Sequence, residues 1–277
     1  MEPRSLSLDA YFARIGFAGA AAPTRDTLAR LHELHTRAIP FENLSPFLGE
    51  PVKLDVASLQ EKMVERRRGG WCFEHNWLFT HVLRAVGFEV KTLAARVRWN
   101  VPAGVTPARS HMLMLVTAEG GLYIADVGFG GLTLTAPLAF EPHVEQATPH
   151  EPHRLMPDGE RLVLQAQLAG EWHDLYAFDL YEQIQPDYEI SNWYLCTWPQ
   201  SQFVTGILAA RADVQSRHVL RNTRYQVHHR GGETERRHVG SVAEIKALLS
   251  GPLQILLPAH PELDRRLQKV IDSNPPT

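Results

Sequence analysis

The hydrophobic pattern changes its period near residue 88, and this change constrains the fold more than any other feature of the chain. Before that point apolar residues recur every three or four positions, as Leu28, Leu31 and Leu34 do, which is typical of amphipathic helices. After it, short runs rich in β-branched and aromatic residues alternate with turn residues, which indicates strands. Helices followed by strands and then by a mixed segment predict an α+β protein.

Capping and stop signals predict four helices in the first ninety residues. The first spans 7–15, Thr24 caps the second, and Asp55 caps a third that runs to the arginine cluster at 66–68. The fourth spans 71–86 and ends at a glycine.

The strands that follow are predicted in "FEVKTLAARV", "HMLMLV", "LYIADVGF", "ERLVLQAQL" and "EWHDLYAF". The Pro- and His-rich stretch over 140–157 is expected to be a surface loop. Pro186 opens a further short helix that runs through Cys196. The last part of the chain mixes helices with strands, one of them in "FVTGILAA".

Composition and charge exclude several classes of protein. The chain has 277 residues, 44% of them hydrophobic, and a net charge of −3, which provides no overall field to attract nucleic acid or an anionic membrane. No apolar stretch approaches the ~18 residues of a membrane helix, and the N-terminus lacks the pattern of a secretory signal. The two cysteines lie far apart, which suits reduced thiols in the cytoplasm. A structural zinc site would need about four ligands, and no suitable spacing exists, so no metal is expected.

Cys72 lies at a predicted helix start, directly behind Gly69 and Gly70. The free N–H groups of a first helical turn and the positive end of the helix dipole favour an anion. Such an environment lowers the pKa of a thiol from about 8.5 toward neutrality and makes it a nucleophile. The motif alone is equally compatible with a small buried apolar side chain. Cys196, on the later helix, is expected to be a buried structural residue.

A histidine and an aspartate on one predicted hairpin supply the base and the orienting group that a nucleophilic thiol needs. His111 begins the first strand, Asp126 ends the second, and Glu119 and Gly120 form a two-residue turn. In that register Asp126 lies on the same face as His111, one diagonal step away, at a backbone separation of about 7–8 Å. A shift of one residue would put the two side chains on opposite faces. Taken singly, each residue is more typical of a surface histidine or a turn aspartate.

Four sequence blocks resemble the signature blocks of the arylamine N-acetyltransferases, in the same order and at similar spacing. They are "IPFENL", "RRRGGWCFEHN", "SHMLMLV" and "ADVGFGG", and the agreement extends over essentially the whole chain. Two positions depart from the family pattern. Trp71 replaces its usual tyrosine and His75 its usual glutamine. Neither change removes a catalytic group, so both bear on substrate preference rather than on chemistry.

The resemblance implies three parts: a helical bundle over 1–87, an antiparallel β-barrel over 88–185 and an α/β lid over 186–277. The bundle supplies the cysteine and the barrel supplies the histidine and aspartate, so the site lies at their junction. Glu42 and Arg68 are expected to form a partly buried ion pair that positions the loop before the cysteine.

By the same resemblance, Cys72, His111 and Asp126 form a catalytic triad. Acetyl-CoA is the implied donor, and an arylamine, a hydrazine or an N-hydroxyarylamine is the implied acceptor. The expected mechanism is ping-pong transfer through an S-acetyl-cysteine intermediate. The expected partners are these small molecules, with no nucleic acid and no membrane.

Substrate contacts are expected from apolar residues near the triad. Phe41 and Phe129 are the candidates for an aryl pocket. Phe203 is a further candidate, and with Gly130 and Gly131 it matches family positions near the cofactor channel. Each phenylalanine is equally compatible with core packing. The sequence has no glycine-rich phosphate loop, so scattered basic side chains or solvent must meet the CoA phosphates.

Other classes of protein could use the same residues. A cysteine hydrolase or peptidase would let water take the acyl group, and only a dry pocket separates that reaction from transfer. An amide synthase on the same fold would act on a long polyketide chain beneath a shorter or more open lid. A non-catalytic binding module is disfavoured because all three triad residues are present. The sequence does not determine the physiological acceptor or the oligomeric state.

Overall fold

The N-terminal part of the computed structural model, which describes residues 6–102 and 104–275, consists mainly of helices, and Thr24 and Asp55 cap two of them as predicted. The side chains of Ser7, Thr24 and Asp55 each accept a hydrogen bond from a backbone N–H of the first turn. Because these caps satisfy otherwise free donors, they fix where each helix begins. The elements of this part are α1 (Leu8–Ile15), α2 (Arg25–Ala38), β1 (Phe41–Glu42), α3 (Leu44–Leu48), α4 (Val56–Leu59) and α5 (Cys72–Val86).

The third predicted helix is shorter and less regular than expected. α4 continues into a π-helix over Gln60–Glu65, and Arg67 then adopts a φ of 50°. The arginine cluster therefore lies in a turn and not in the helix. The turn brings Arg68 inward to Glu42, with 2.7 Å between Nη2 and Oε1. This ion pair was predicted, and it is almost fully buried rather than partly so.

The next part of the chain forms an antiparallel sheet that nearly closes into a barrel. Gln146 bridges the two ends of the sheet, since its amide oxygen accepts from the N–H of Ala139 at 2.7 Å and its amide nitrogen donates to the carbonyl of Ala139 at 2.9 Å. The strands are β2 (Glu89–Val97), β3 (Arg109–Ala118), β4 (Gly121–Ala125), β5 (Leu138–Ala139), β6 (Glu145–Gln146), β7 (His153–Asp158), β8 (Arg161–Leu168) and β9 (Glu171–Glu182).

These eight strands lie in the order β5-β4-β3-β2-β9-β8-β7-β6. The prediction of a loop over 140–157 is wrong at its end. His153 pairs with Ala166 and the pairing continues to Asp158 opposite Arg161. Because the segment contains proline, its sequence gives no local indication of a strand. It forms one because β8 supplies hydrogen-bond partners for its backbone.

The C-terminal part forms a second, five-stranded antiparallel sheet in the order β1-β10-β11-β12-β13. Its edge strand β1 comes from the N-terminal part, with Phe41 opposite Ala210. The strand predicted in "FVTGILAA" begins only at Leu208, because Ser201 caps a short helix before it. The elements are α6 (Gln185–Thr197), α7 (Gln202–Thr205), β10 (Leu208–Ala212), β11 (Ser216–Arg221), β12 (Arg224–His229), β13 (Thr234–His238), α8 (Val242–Ser250) and α9 (Leu263–Asp272).

Three apolar clusters organise the packing. One joins the bundle to the outer face of β2 and β3 and includes Cys72. Another fills the barrel and has Phe129 packed against it. The third lies in the C-terminal part and includes residues of α3. The predicted α+β architecture is confirmed, and the predicted site residues lie where the first two clusters meet. None of the described helices is long and apolar enough to cross a membrane.

Candidate active site

Cys72 is the first residue of α5, as the sequence predicts. Its side chain is buried, and its Sγ–H donates to the carbonyl of Ser110 at 3.6 Å. The loop that contains Gly128 lies against this helix start. A Cβ at position 128 would lie 2.9 Å from both Cα and the carbonyl oxygen of Cys72, so only glycine fits there. Through its bond to the carbonyl of Ser110, the thiol lies beside the residue that precedes His111.

The predicted hairpin is confirmed. Strands β3 and β4 pair with Ala118 opposite Gly121, and both turn residues have a positive φ, as a two-residue hairpin turn requires. His111 Nε2 donates to Asp126 Oδ2 at 2.7 Å, and both side chains are buried. The structure thus brings together the pair that the register predicts.

Asp126 accepts four hydrogen bonds. His111 and the hydroxyl of Tyr176, at 2.9 Å, donate to Oδ2, while Asn76 Nδ2 and the N–H of Gly128, both at 2.9 Å, donate to Oδ1. Burial raises the pKa of Asp126, but the charge and hydrogen bond of His111 and the bonds from Asn76 and Gly128 outweigh it and lower the pKa below its ordinary value. Asp126 is therefore a carboxylate held in one orientation.

Two residues of this network were missed by the sequence reasoning. Asn76 lies four residues after Cys72, on the same face of α5, and its amide also bonds the carbonyl of Met112 at 2.6 Å and the N–H of Val127 at 2.9 Å. Its spacing of four residues from Cys72 places Asn76 on the same face of the helix, so the sequence does contain a signal for it. Tyr176 comes from β9, and no local pattern links it to the hairpin.

The expected low pKa of Cys72 is wrong. Burial raises the pKa of its thiol and the negative charge of Asp126 raises it further, while the backbone N–H groups of Phe73 and Met112 lower it by less. Desolvation of the thiolate thus outweighs the helix start. The raised pKa favours the protonated thiol of Cys72 over the thiolate.

Phe129 and Phe203 each pack against a residue at or next to a predicted catalytic position. The Phe129 ring packs edge-on against His111, with centroids 5.1 Å apart. The Phe203 ring packs edge-on against Trp71, the residue before the cysteine, at 5.0 Å. Phe129 thus contacts the predicted base, and Phe203 contacts the residue next to the predicted nucleophile.

Phe41 and the two glycines form a neighbouring group. Phe41 stacks on His75 with planes 5° apart, and a Cβ at Gly130 would lie 3.6 Å from its ring. A Cβ at Gly131 would lie 3.0 Å from Val219 of β11. The loop therefore packs on the C-terminal sheet over β1 and β11; the positive φ of 84° favours glycine at position 130, and the tight contact favours it at position 131.

The second cysteine is separate from this network. Both thiols are free, and Cys196 is partly buried on α6 rather than fully buried as expected. Burial raises its pKa to about 12, so Cys196, like Cys72, is a protonated thiol. Across residues 6–102 and 104–275, no three His, Cys, Asp or Glu side chains are grouped to hold a metal ion.

Comparison with known proteins agrees with this geometry. The sequence model of a family described as N-acetyltransferase matches residues 24–261. The arylamine N-acetyltransferase of Mycobacterium tuberculosis is 44% identical over 250 residues, 89% of this chain and 88% of the relative. The arylamine N-acetyltransferase / N-hydroxyarylamine O-acetyltransferase of Salmonella typhimurium is 41% identical over 243 residues, 87% and 86% of the two chains. The structure of Mycobacterium marinum arylamine N-acetyltransferase in complex with CoA superposes with a TM-score of 0.92 at 41% identity and covers 95% of this chain and 99% of that one.

Proposed function

Because this chain belongs to the arylamine N-acetyltransferase family, and is therefore an acyltransferase, we propose that it transfers the acetyl group of acetyl-CoA to arylamines through Cys72. His111 is the base, and Asp126 orients it. The observation that carries this assignment is the Asp126 carboxylate, which holds His111 at 2.7 Å and bonds Asn76 of α5 at 2.9 Å. The base is thereby fixed relative to the helix that carries the thiol.

Activation of the thiol requires a charge that forms within the site. His111 uses Nε2–H to bond Asp126, which leaves Nδ1 to take the proton of Cys72. The carboxylate stabilises the imidazolium that results, and the imidazolium stabilises the thiolate. Since burial raises the pKa of Cys72, thiolate and imidazolium form together as an ion pair.

In the first half-reaction the Cys72 thiolate attacks the carbonyl carbon of the acetyl thioester. The bond between that carbon and the CoA sulfur breaks, the proton on His111 goes to the departing CoA thiolate, and S-acetyl-Cys72 remains. One thioester replaces another, so no further energy source is needed. The tetrahedral oxyanion needs backbone donors close to Cys72.

In the second half-reaction the nitrogen of the acceptor attacks the acetyl carbon. An aromatic amine is mostly unprotonated at neutral pH and is therefore a competent nucleophile. His111 takes the proton that the nitrogen loses and returns it to the Cys72 sulfur as the thioester breaks. The products are the N-acetylated amine and the free enzyme.

Three phenylalanines are proposed to bind the acceptor ring. Phe129 lies against His111, Phe41 lies in β1 beside Gly130, and Phe203 lies against Trp71. Hydrazines and N-hydroxyarylamines belong to the proposed range, the latter supported by the name of the Salmonella typhimurium relative.

The donor is proposed to pass the loop at Gly130 and Gly131, between the barrel and the C-terminal sheet. The Mycobacterium marinum structure in complex with CoA supports CoA as the donor group. The two free cysteines support a reducing compartment, and we place the reaction in the cytoplasm.

Mass spectrometry after mixing with acetyl-CoA alone tests the proposal. We expect one added acetyl group, on Cys72, and its loss when an arylamine is added. Cys72→Ser should abolish both the label and the transfer while the fold is retained, and Cys196→Ser should change neither. An unmodified Cys72 or an acetyl group on Cys196 would contradict the mechanism, and rapid loss of the label to water alone would indicate a hydrolase.

A further inference from the structure

The helix that carries Cys72 begins without a side-chain cap. Its N-cap residue is Trp71, whose indole can donate a hydrogen bond but cannot accept one, whereas side-chain oxygens cap the first turns of α1 and α2. A cap oxygen at position 71 would take an N–H of the first turn. Burial raises the pKa of Cys72, and the hydrogen bond from the N–H of Phe73 opposes that rise. The missing cap therefore leaves this N–H to the thiol.

Glu74 fixes the start of α5 instead. Its Oε2 accepts the N–H of Trp71 at 3.1 Å, and its side chain is only 2% exposed. A Cβ at Gly70 would lie 2.9 Å from the same oxygen, so the carboxylate packs directly on the loop before the cysteine. This contact holds the backbone of residues 70 and 71 against the first turn of the helix.

Lys62 pairs with this carboxylate and also holds the other end of the loop. Its Nζ donates to both oxygens of Glu74, at 2.7 and 2.9 Å, and among the residues that the structure describes no other cation forms an ion pair with Glu74. The carbonyl of Lys62 accepts the N–H of Arg68 at 3.0 Å. Lys62, which lies in the π-helix over Gln60–Glu65, thus restrains both ends of the loop over 68–71.

The charges of this pair lie close enough to the thiol to affect it. Burial raises the pKa of Glu74, and Lys62 opposes this rise while Glu42 of β1 adds to it. Beyond the effects of burial and of Asp126, the negative charge of Glu74 raises the pKa of Cys72. Without Lys62 the carboxylate would be an uncompensated charge near the thiol, and a negative charge nearby disfavours the thiolate.

We propose that Lys62 is a positioning residue for acetyl transfer, which acts through Glu74 on the first turn of α5 and on the thiol of Cys72. The ammonium group holds the carboxylate on the N–H of Trp71 and cancels its charge, so the helix start is fixed without a negative field at the sulfur. The inference rests on the proposed role of Cys72 as the nucleophile. A failure of acetyl transfer in the parent chain concerns that role, whereas the reactivity of the thiol itself concerns Lys62.

Alkylation of Cys72 by iodoacetamide at pH 7, followed by peptide mass spectrometry, measures this reactivity without acetyl-CoA. Lys62→Met should slow alkylation about tenfold, the effect of a rise of one unit in the thiol pKa on the thiolate fraction. Acetylation of Cys72 by acetyl-CoA should slow in parallel. Lys62→Arg retains the positive charge and should react within a few-fold of the parent.

Glu74→Gln breaks the same ion pair and should have the opposite outcome. The amide oxygen still accepts from Trp71 and no carboxylate remains, so alkylation should be at least as fast as in the parent. The double variant Lys62→Met/Glu74→Gln should recover most of the rate that Lys62→Met loses. A pair that only stabilises the fold would lower Tm in both single variants and leave alkylation of the folded protein unchanged.

Lys246→Met is the matched control, because it removes the same charge from an exposed ion pair with Asp264, at 2.8 Å, and it should not alter alkylation of Cys72. A folded Lys62→Met variant that is alkylated at the parent rate overturns the proposal. A double variant that remains about tenfold slower than the parent overturns it equally, and this comparison holds even where Lys62→Met alone does not fold.

Discussion

At the residue scale, Asp126 is the side chain on which the proposed chemistry depends most. Asp126→Asn should lower acetyl transfer by about 10⁴-fold, the cost of the equivalent change in a serine triad. The amide can favour the wrong tautomer of His111 and cannot stabilise an imidazolium. Steady-state kinetics and thermal unfolding should show a lost rate with the fold retained.

Tyr176→Phe is the control for that change, since it removes one hydrogen bond to the same carboxylate without altering the tautomer of His111. A bond to a charged group contributes about 1.5–3 kcal/mol, so we expect at most about a 150-fold loss. If Asp126→Asn instead prevents folding, Asp126 is chiefly a structural residue.

Two phenylalanines should differ in the number of half-reactions that they affect. Phe41→Ala should slow the acceptor step by roughly 5- to 150-fold, the effect of losing about 1–3 kcal/mol of apolar contact, and leave acetylation of Cys72 within a few-fold. Phe129→Ala should slow both steps, because the Phe129 ring packs on His111. Pre-steady-state kinetics separates the two steps. Equal effects of both variants on Cys72 acetylation would contradict this assignment.

At the element scale, a chain of buried hydrogen bonds ties three helices to the segment before β1. The carbonyl of Pro40 only accepts, so His75 Nε2 donates to it at 3.0 Å. His75 Nδ1 then accepts from His35 Nε2 at 2.9 Å, and His35 Nδ1 accepts from the hydroxyl of Tyr11 at 2.7 Å. The position of every proton in this series of hydrogen bonds is therefore fixed, and both histidines are neutral.

His75→Ala should destabilise the protein, because it leaves two buried polar groups without partners at a cost of about 1–3 kcal/mol each. In a protein of this size each kcal/mol lowers Tm by about 2–4 °C. His75→Gln, the residue that resembling sequences usually carry, keeps a donor and an acceptor and should lose less. Thermal unfolding of the two variants is the measurement, and equal Tm values would show that the hydrogen bonds contribute nothing.

At the scale of the whole molecule, we propose three units over 1–87, 88–185 and 186–277. Their support is that the barrel interior and the C-terminal part each have an apolar cluster. The remaining cluster joins the bundle to β2 and β3, and β1 and α3 pack with the C-terminal part. A buried ion pair joins the barrel to the C-terminal sheet. Arg217 Nη2 and Nε bond the carboxylate of Glu151 at 2.7 and 2.8 Å. The last two units are thus locked together beside the proposed donor channel.

The stability of the whole molecule should fall as the pH falls from 6.5 to 4. Burial lowers the pKa of His32, His75 and His153 from 6.5 to about 4. In that interval the unfolded chain binds protons that the folded chain does not, so acid favours unfolding. His32 Nε2 accepts from the N–H of Asp126 at 3.2 Å, so its neutral form also supports the site.

Urea unfolding at several pH values measures this effect. Each of the three histidines should contribute up to about 1.4 kcal/mol of unfolding free energy per pH unit. His75→Gln should remove one such contribution and flatten the curve. A free energy of unfolding that does not change between pH 6.5 and 4 would contradict the prediction.

The sequence alone determined what depends on neighbouring residues. Capping side chains set the helix starts, and the two-residue turn set the register that places His111 beside Asp126. Both follow from hydrogen bonds and side-chain periodicity within a few residues.

Only the tertiary structure decided what depends on residues far apart in the chain. Tyr176 reaches Asp126 from another strand, β1 joins a sheet made otherwise of C-terminal strands, and the turn at Arg67 forms where Arg68 meets Glu42. The pKa of Cys72 belongs here too. A helix start acts through a few local N–H groups, whereas desolvation depends on everything that the whole fold packs around the thiol.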